Sequence, residues 1–107
     1  MTEEMPRHFK FGEALGTGVN SAFVNLRSEI MKNGALSTKE KALIALASVV
    51  ALQCDYCVKF HKEAAISAGA TREEMLEAAA IGGLVRLGSG FASASMILGD
   101  DIAGPYL

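Results

Sequence analysis

Apolar residues recur along most of this chain at spacings of three and four. Phe11, Leu15, Val19, Phe23, Leu26 and Ile30 follow one another this way between Phe9 and Asn33, the pattern of one helical face. Gly16 and Gly18 weaken the early part, so the helix is expected to start after them. Asn33-Gly34 reads as its stop. Ser37-Thr38-Lys39-Glu40 then has the form of a capping box, in which the Ser37 hydroxyl and the Glu40 carboxylate satisfy each other's backbone N–H groups. The helix it opens carries Ala42, Leu43, Ile44, Leu46, Ala47, Val49, Val50 and Leu52. It is apolar nearly all round, which predicts the central, buried helix.

A third segment begins near Cys54 or Asp55 and stops at Ser67-Ala68-Gly69, with Gly69 a natural residue for the turn after a helix. Thr71-Arg72-Glu73-Glu74 is a second capping box, and its helix is predicted to reach about Leu87. Gly88-Ser89-Gly90 should interrupt the chain, leaving a last short helix from Phe91 to Leu98 and a tail from Asp100 to Leu107 with Gly104-Pro105. Alternating runs bounded by hairpin turns are missing. The fold class is therefore all-α, a small orthogonal bundle of about five helices. The segments starting at Thr38 and Thr71 echo each other, but two copies are too few for a solenoid, and shared capping chemistry accounts for the likeness.

Composition sharpens this picture. The chain has 107 residues, room for a single domain over 1–107. Half of it is hydrophobic, with 17 alanines, 11 glycines and no Trp, and its mean hydropathy is +0.28. A chain this short buries only about two thirds of its unfolded surface by itself. So apolar a composition implies burial between copies, that is, a homo-oligomer. The net charge of −2 offers no basic patch for a nucleic acid. The stretch Ala78–Leu98 is long enough to cross a bilayer, but its many Gly and Ser residues and Arg86 speak against a membrane partner. The N-terminus has no signal-peptide pattern, so the cytoplasm is the expected location.

The chemistry is concentrated in Cys54-Asp55-Tyr56-Cys57-Val58-Lys59-Phe60-His61. On a helix, Cys54, Cys57 and His61 fall within roughly 60° of one another, and Cys57 and His61 are direct i, i+4 neighbours. A thiolate is the reactive form of cysteine, and orphan N–H groups in a first helical turn favour it. A neighbouring imidazole can take the proton. The second cysteine can then close an intramolecular disulfide, which completes a two-cysteine redox cycle. A disulfide over so short a loop is a poor staple, so a secreted scaffold is not indicated. Val58 stands where a c-type haem motif needs His. A structural zinc site would want a fourth ligand, and His8, the other histidine, is distant in sequence. Neither a cofactor nor a metal is expected.

Taken together, the capped apolar helix, Cys54-x-x-Cys57-x-x-x-His61, Ala64-Ala65 and Ala68-Gly69-Ala70-Thr71 resemble the carboxymuconolactone decarboxylase superfamily. Within it they are most similar to the AhpD-like, alkylhydroperoxidase D-type branch. The resemblance covers about Leu36 to Leu87. It implies an all-α fold, trimers or hexamers, and thiol-dependent peroxide reduction or disulfide exchange. It also implies Cys57 as the attacking thiol, Cys54 as the resolving one and His61 as the proton-relay base. The chain departs from the branch at two positions. Ala42 stands where the pattern has a Glu, and Tyr56 where it can have a His. Glu40, Tyr56 and Glu63 are the candidates to complete a relay.

The expected activity is thus thiol–disulfide oxidoreduction, drawing on a thiol or disulfide electron donor and acting on a peroxide or disulfide. Two alternatives stand beside it. A lyase acting on a lactone acid would need a basic grip such as Arg86. A non-catalytic oligomeric subunit would keep both cysteines fully buried.

Overall fold

The structure is a computed structural model that describes residues 6–102. Among them are five α-helices and a terminal 3₁₀ segment, with no strand: α1 (Arg7–Leu15), α2 (Thr17–Met31), α3 (Thr38–Leu52), α4 (Asp55–Ser67) and α5 (Arg72–Ala94), then Ser95–Ile102. The all-α expectation is met. The tail from Gly104-Pro105 onward lies outside the described residues.

Local chemistry explains most of the helix boundaries. Both capping boxes form. Ser37 Oγ accepts from the Glu40 N–H at 3.0 Å, and the Glu40 carboxylate accepts from the Ser37 N–H at 2.8 Å. Thr71 and Glu74 repeat the exchange at 3.1 and 2.8 Å. Gly69 follows α4 with φ +94°, and the Ala70 N–H reaches back to the Ala65 carbonyl at 2.9 Å, closing the helix as a left-handed turn does.

Two expectations are corrected. The first helix is two helices: α1 already forms ahead of Gly16, and the chain turns at Gly16, where φ is +136°, a conformation that a Cβ would oppose. Gly88-Ser89-Gly90 does not interrupt α5, which continues to Ala94. Its neighbours are good helix formers, and glycine costs only about 1 kcal/mol relative to alanine inside a helix. The separate helix Phe91–Leu98 is accordingly absent.

The helices α3 and α5 pack in parallel at a constant offset. Lys39 Nζ pairs with Glu74 at 2.9 Å, Gly82 faces the Ala47 carbonyl, and Arg86 donates to the Ala51 carbonyl at 3.2 Å. Each pair is 35 residues apart. A Cβ at Gly82 would collide with the Ala47 backbone oxygen and touch Val50, so this glycine sets how closely the two helices approach. The echo between Thr38 and Thr71 is thus mirrored in space by two parallel, similarly capped helices, with α4 as the connection between them.

The buried apolar core within one chain is small: Ala42, Leu46 and Val49 on α3, and Ala65 on α4. The 42/46/49 spacing is a single helical stripe. Ile44 and Leu52 on other faces of α3 are exposed, so the expected all-round burial of α3 is not achieved within one chain. The radius of gyration is 18.0 Å, against about 13 Å for a globular domain of this length. Leu84, Phe91, Met96 and Ile97 along the outer part of α5 and beyond it are exposed as well. The span Arg72–Gly99 is long and apolar enough to cross a bilayer by length and composition alone.

Candidate functional site

The reactive stretch sits where α3 hands over to α4. α3 ends at Gln53, which takes the left-handed conformation at φ 57°. This turns the chain so that the Cys54 N–H still reaches the Val49 carbonyl at 3.3 Å. Cys54 is therefore the N-cap of α4 and Cys57 lies in its first turn. The two are joined as a disulfide with Cα atoms 5.2 Å apart. The Cys57 N–H also points at Cys54 Sγ, at 3.3 Å. A sulfur in this position receives both a hydrogen bond and the positive end of the helix dipole. Both cysteines are half-buried rather than sealed in the core.

His61 lies one turn beyond Cys57 on the same face of α4. It too is half-buried, and its Nδ1 is enclosed with no hydrogen-bond partner among the described residues. Burial holds its pKa below the ordinary imidazole value, and the positive fields of Arg27 and His8 push it further down. At neutral pH the ring is consequently uncharged and able to accept a proton.

Tyr56 is engaged structurally: its hydroxyl accepts from the Arg7 N–H at 2.8 Å, and the Arg7 guanidinium lies 4.4 Å from its ring centre. Glu40 is at the opposite end of α3 from Cys54, with its carboxylate held low in pKa by the Ser37 hydrogen bonds of the capping box. Glu63 is exposed on α4 beside the exposed Lys62. Ala42, where the resembled branch has its acid, is buried at 2% exposure. The structure thus sets Cys54 and Cys57 at the start of α4 with His61 one turn on, while Glu40 lies at the far end of α3 and Tyr56 is engaged by Arg7. Arg86, the possible grip for a lactone acid, caps the C-terminal end of α3 through the Ala51 carbonyl.

Two residues at the site were not singled out from the sequence, Arg27 as a site residue and His8 as a neighbour of His61. The α1–α2 hairpin carries both to α4. The His8 ring meets Phe60 edge-on at 4.6 Å between centroids, and Phe60 meets His61 at 5.0 Å. Phe9 and Phe23 complete the aromatic cluster. The Arg27 guanidinium stands 5.6 Å from the Phe60 ring centre. The hairpin's apolar spacing was visible in the sequence. Its docking partner was not, because that contact joins residues about fifty positions apart.

The chain as a whole is similar to several known proteins. A sequence model of the carboxymuconolactone decarboxylase family matches residues 18–98. An uncharacterized protein of the cox locus in Paracoccus denitrificans is 34% identical over 91 residues, covering 83% of this chain and 82% of the relative. An uncharacterized protein of Cupriavidus necator is 39% identical over 70 residues, covering 65% of this chain and 60% of the relative. A crystal structure of a protein from Methanobacterium thermoautotrophicum superposes with a TM-score of 0.71 at 42% identity. It covers 81% of this chain and 97% of its own.

Proposed function

The chain belongs to the carboxymuconolactone decarboxylase family, and on that premise we propose that it is a thiol-dependent oxidoreductase cycling Cys54 and Cys57 between dithiol and disulfide. The observation that carries this reading is the pairing of the two cysteines at the N-terminus of α4 with the unpartnered His61 one turn on. Each sulfur has its own activator. Cys57 has the uncharged imidazole of His61 as proton acceptor. Cys54 has the Cys57 N–H and the helix N-terminus, which favour it as a thiolate.

The cycle follows from these roles. In the dithiol form, His61 takes the Cys57 proton and the thiolate attacks a substrate disulfide or peroxide. One substrate sulfur leaves as a thiol, or one oxygen as water, giving a mixed disulfide or a sulfenic acid on Cys57. Cys54 then attacks Cys57 Sγ and displaces the second substrate thiol, or hydroxide, which leaves as water. The protein disulfide closes, and two external thiols reopen it. Disulfide exchange needs only these three groups. It is therefore the form of the activity best supported by a chain with alanine at position 42 and a structurally engaged Tyr56.

The same reading includes a homo-oligomer, trimeric or hexameric, working in the reducing cytoplasm with a thiol donor. The exposed apolar residues of α2, α3 and α5 support self-association. Turnover of a model disulfide and of hydrogen peroxide, driven by dithiothreitol, tests the activity. Wild type should turn over at least one of them, and Cys57→Ser should lose that turnover. Full activity in Cys57→Ser would refute the reading.

A further inference from the structure

We propose that Arg27, with His8 and His61, forms a subsite for the carboxylate of a small thiol or disulfide substrate, which it delivers to the Cys54–Cys57 pair. The proposal rests on the redox reading above and adds the substrate's charge.

Arg27 is half-buried on α2, close to the Phe60 ring. Among the described residues it forms no ion pair, whereas the lysines Lys32 and Lys39 do. The charges acting on His61 come from Arg27 and His8, and the charge acting on His8 comes from Arg27. Among the described residues no carboxylate contributes to either. His61 additionally holds an enclosed Nδ1 without a partner. A half-buried guanidinium and two imidazoles around one aromatic ring thus form a positive, donor-rich surface with no carboxylate paired to it among the described residues. An unmatched buried polar atom is costly, and a carboxylate is the natural acceptor for a guanidinium. The surface adjoins the redox pair, because Phe60 and His61 lie three and four residues after Cys57 on α4.

The carboxylate of the donor rests on Arg27 while its thiolate attacks Cys57 Sγ. The Cys54–Cys57 bond breaks, and Cys54 leaves with the electron pair and takes up a proton. A second donor thiolate attacks the donor sulfur of the mixed disulfide, and Cys57 leaves as a thiolate that is then protonated. Two donor thiols are oxidised to one disulfide, and the protein disulfide is reduced to two thiols.

The test compares opening of the protein disulfide by 3-mercaptopropionate and by uncharged 2-mercaptoethanol. Rates are read by quenched alkylation and mass spectrometry and corrected for thiolate fraction. In wild type the ratio of the two rates favours the anion. In Arg27→Gln that preference falls about five- to tenfold, the effect of one charge-assisted hydrogen bond, and Arg27→Lys restores part of it. An equal ratio in wild type and Arg27→Gln overturns the subsite. A parallel titration with propionate, which cannot react, follows the imidazole Cε1–H signals of His8 and His61 by NMR. Saturable shifts in wild type that vanish in Arg27→Gln support the subsite even where no thiol opens the disulfide, a result that would defeat the redox reading alone. Absence of such shifts in wild type overturns the subsite whatever the thiols do. A changed size-exclusion mass in Arg27→Gln overturns it too, since Arg27 would then be pairing with another copy.

Discussion

The backbone N–H of Cys57 donates to Cys54 Sγ at 3.3 Å, so the two sulfurs of the pair are unequal. Cys54 is held by the helix N-terminus, whereas Cys57 is left to the side chain one turn on. When the disulfide is opened, Cys54 is the better leaving group, because its thiolate inherits that hydrogen bond.

This inequality predicts different titrations for the two thiols. In Cys57→Ser, Cys54 should alkylate with a pKa below the ordinary thiol value of about 8.5. In Cys54→Ser, the reactivity of Cys57 should depend on His61, and adding His61→Ala should lower its rate near neutral pH by about 100-fold, the lower end of what a positioned base contributes. Iodoacetamide rates across pH measure both. An ordinary Cys54 titration together with a Cys57 rate indifferent to His61 would contradict the assigned roles.

The two histidines also tie stability to pH. Burial and Arg27 depress His8, and burial, Arg27 and His8 depress His61. A folded-state pKa below the unfolded one means that the unfolded chain binds more protons in the interval between them. Stability from these groups is then complete above the unfolded value of about 6.5 and is lost as pH falls through the folded values. Thermal melts from pH 7.5 to 5 should show a falling melting temperature, and replacing both histidines by glutamine should flatten that slope. An unchanged slope in the double variant would count against enclosure of the imidazoles.

Gly82 offers a test of the packing that positions α3. Its missing Cβ lies against the Ala47 carbonyl and Val50, so Gly82→Ala should destabilise by about 1–3 kcal/mol through overpacking. Gly83→Ala, one residue on and in open space, should be neutral or stabilising, since alanine is the better helix former. Chemical denaturation of the two variants compares them directly. Equal stabilities would show that α3 and α5 do not meet closely at Gly82.

What could be read from the sequence was what neighbouring residues decide. The capping boxes at Ser37 and Thr71, the stop at Gly69 and the shared face of Cys54, Cys57 and His61 each involve residues within one or two helical turns. The misreadings have the same origin. Gly88-Ser89-Gly90 was expected to break a helix on propensity alone, and its helical surroundings outweighed it. Gly16 looked like a weak start to one helix, yet its φ makes it the turn between two. His8 and Arg27 could not be assigned to the site, because the α1–α2 hairpin must first dock its aromatic residues on Phe60. Glu40 illustrates the converse: its capping role was legible locally and is also why its carboxylate is unavailable to the cysteines.

Whether Cys54 and Cys57 act as one reversible redox couple can be read from intact-mass spectrometry of the native protein through a cycle. The protein is reduced with dithiothreitol, freed of reductant and exposed to oxidised glutathione or hydrogen peroxide. On this account wild type loses about 2 Da as the disulfide forms, regains it on reduction, and repeats the cycle with no higher oxidation state on either sulfur. Cys54→Ser should stop instead at a glutathione adduct or a sulfenic acid on Cys57. A wild-type protein whose two thiols stay reduced under these oxidants, or whose sulfurs over-oxidise without pairing, would contradict the account.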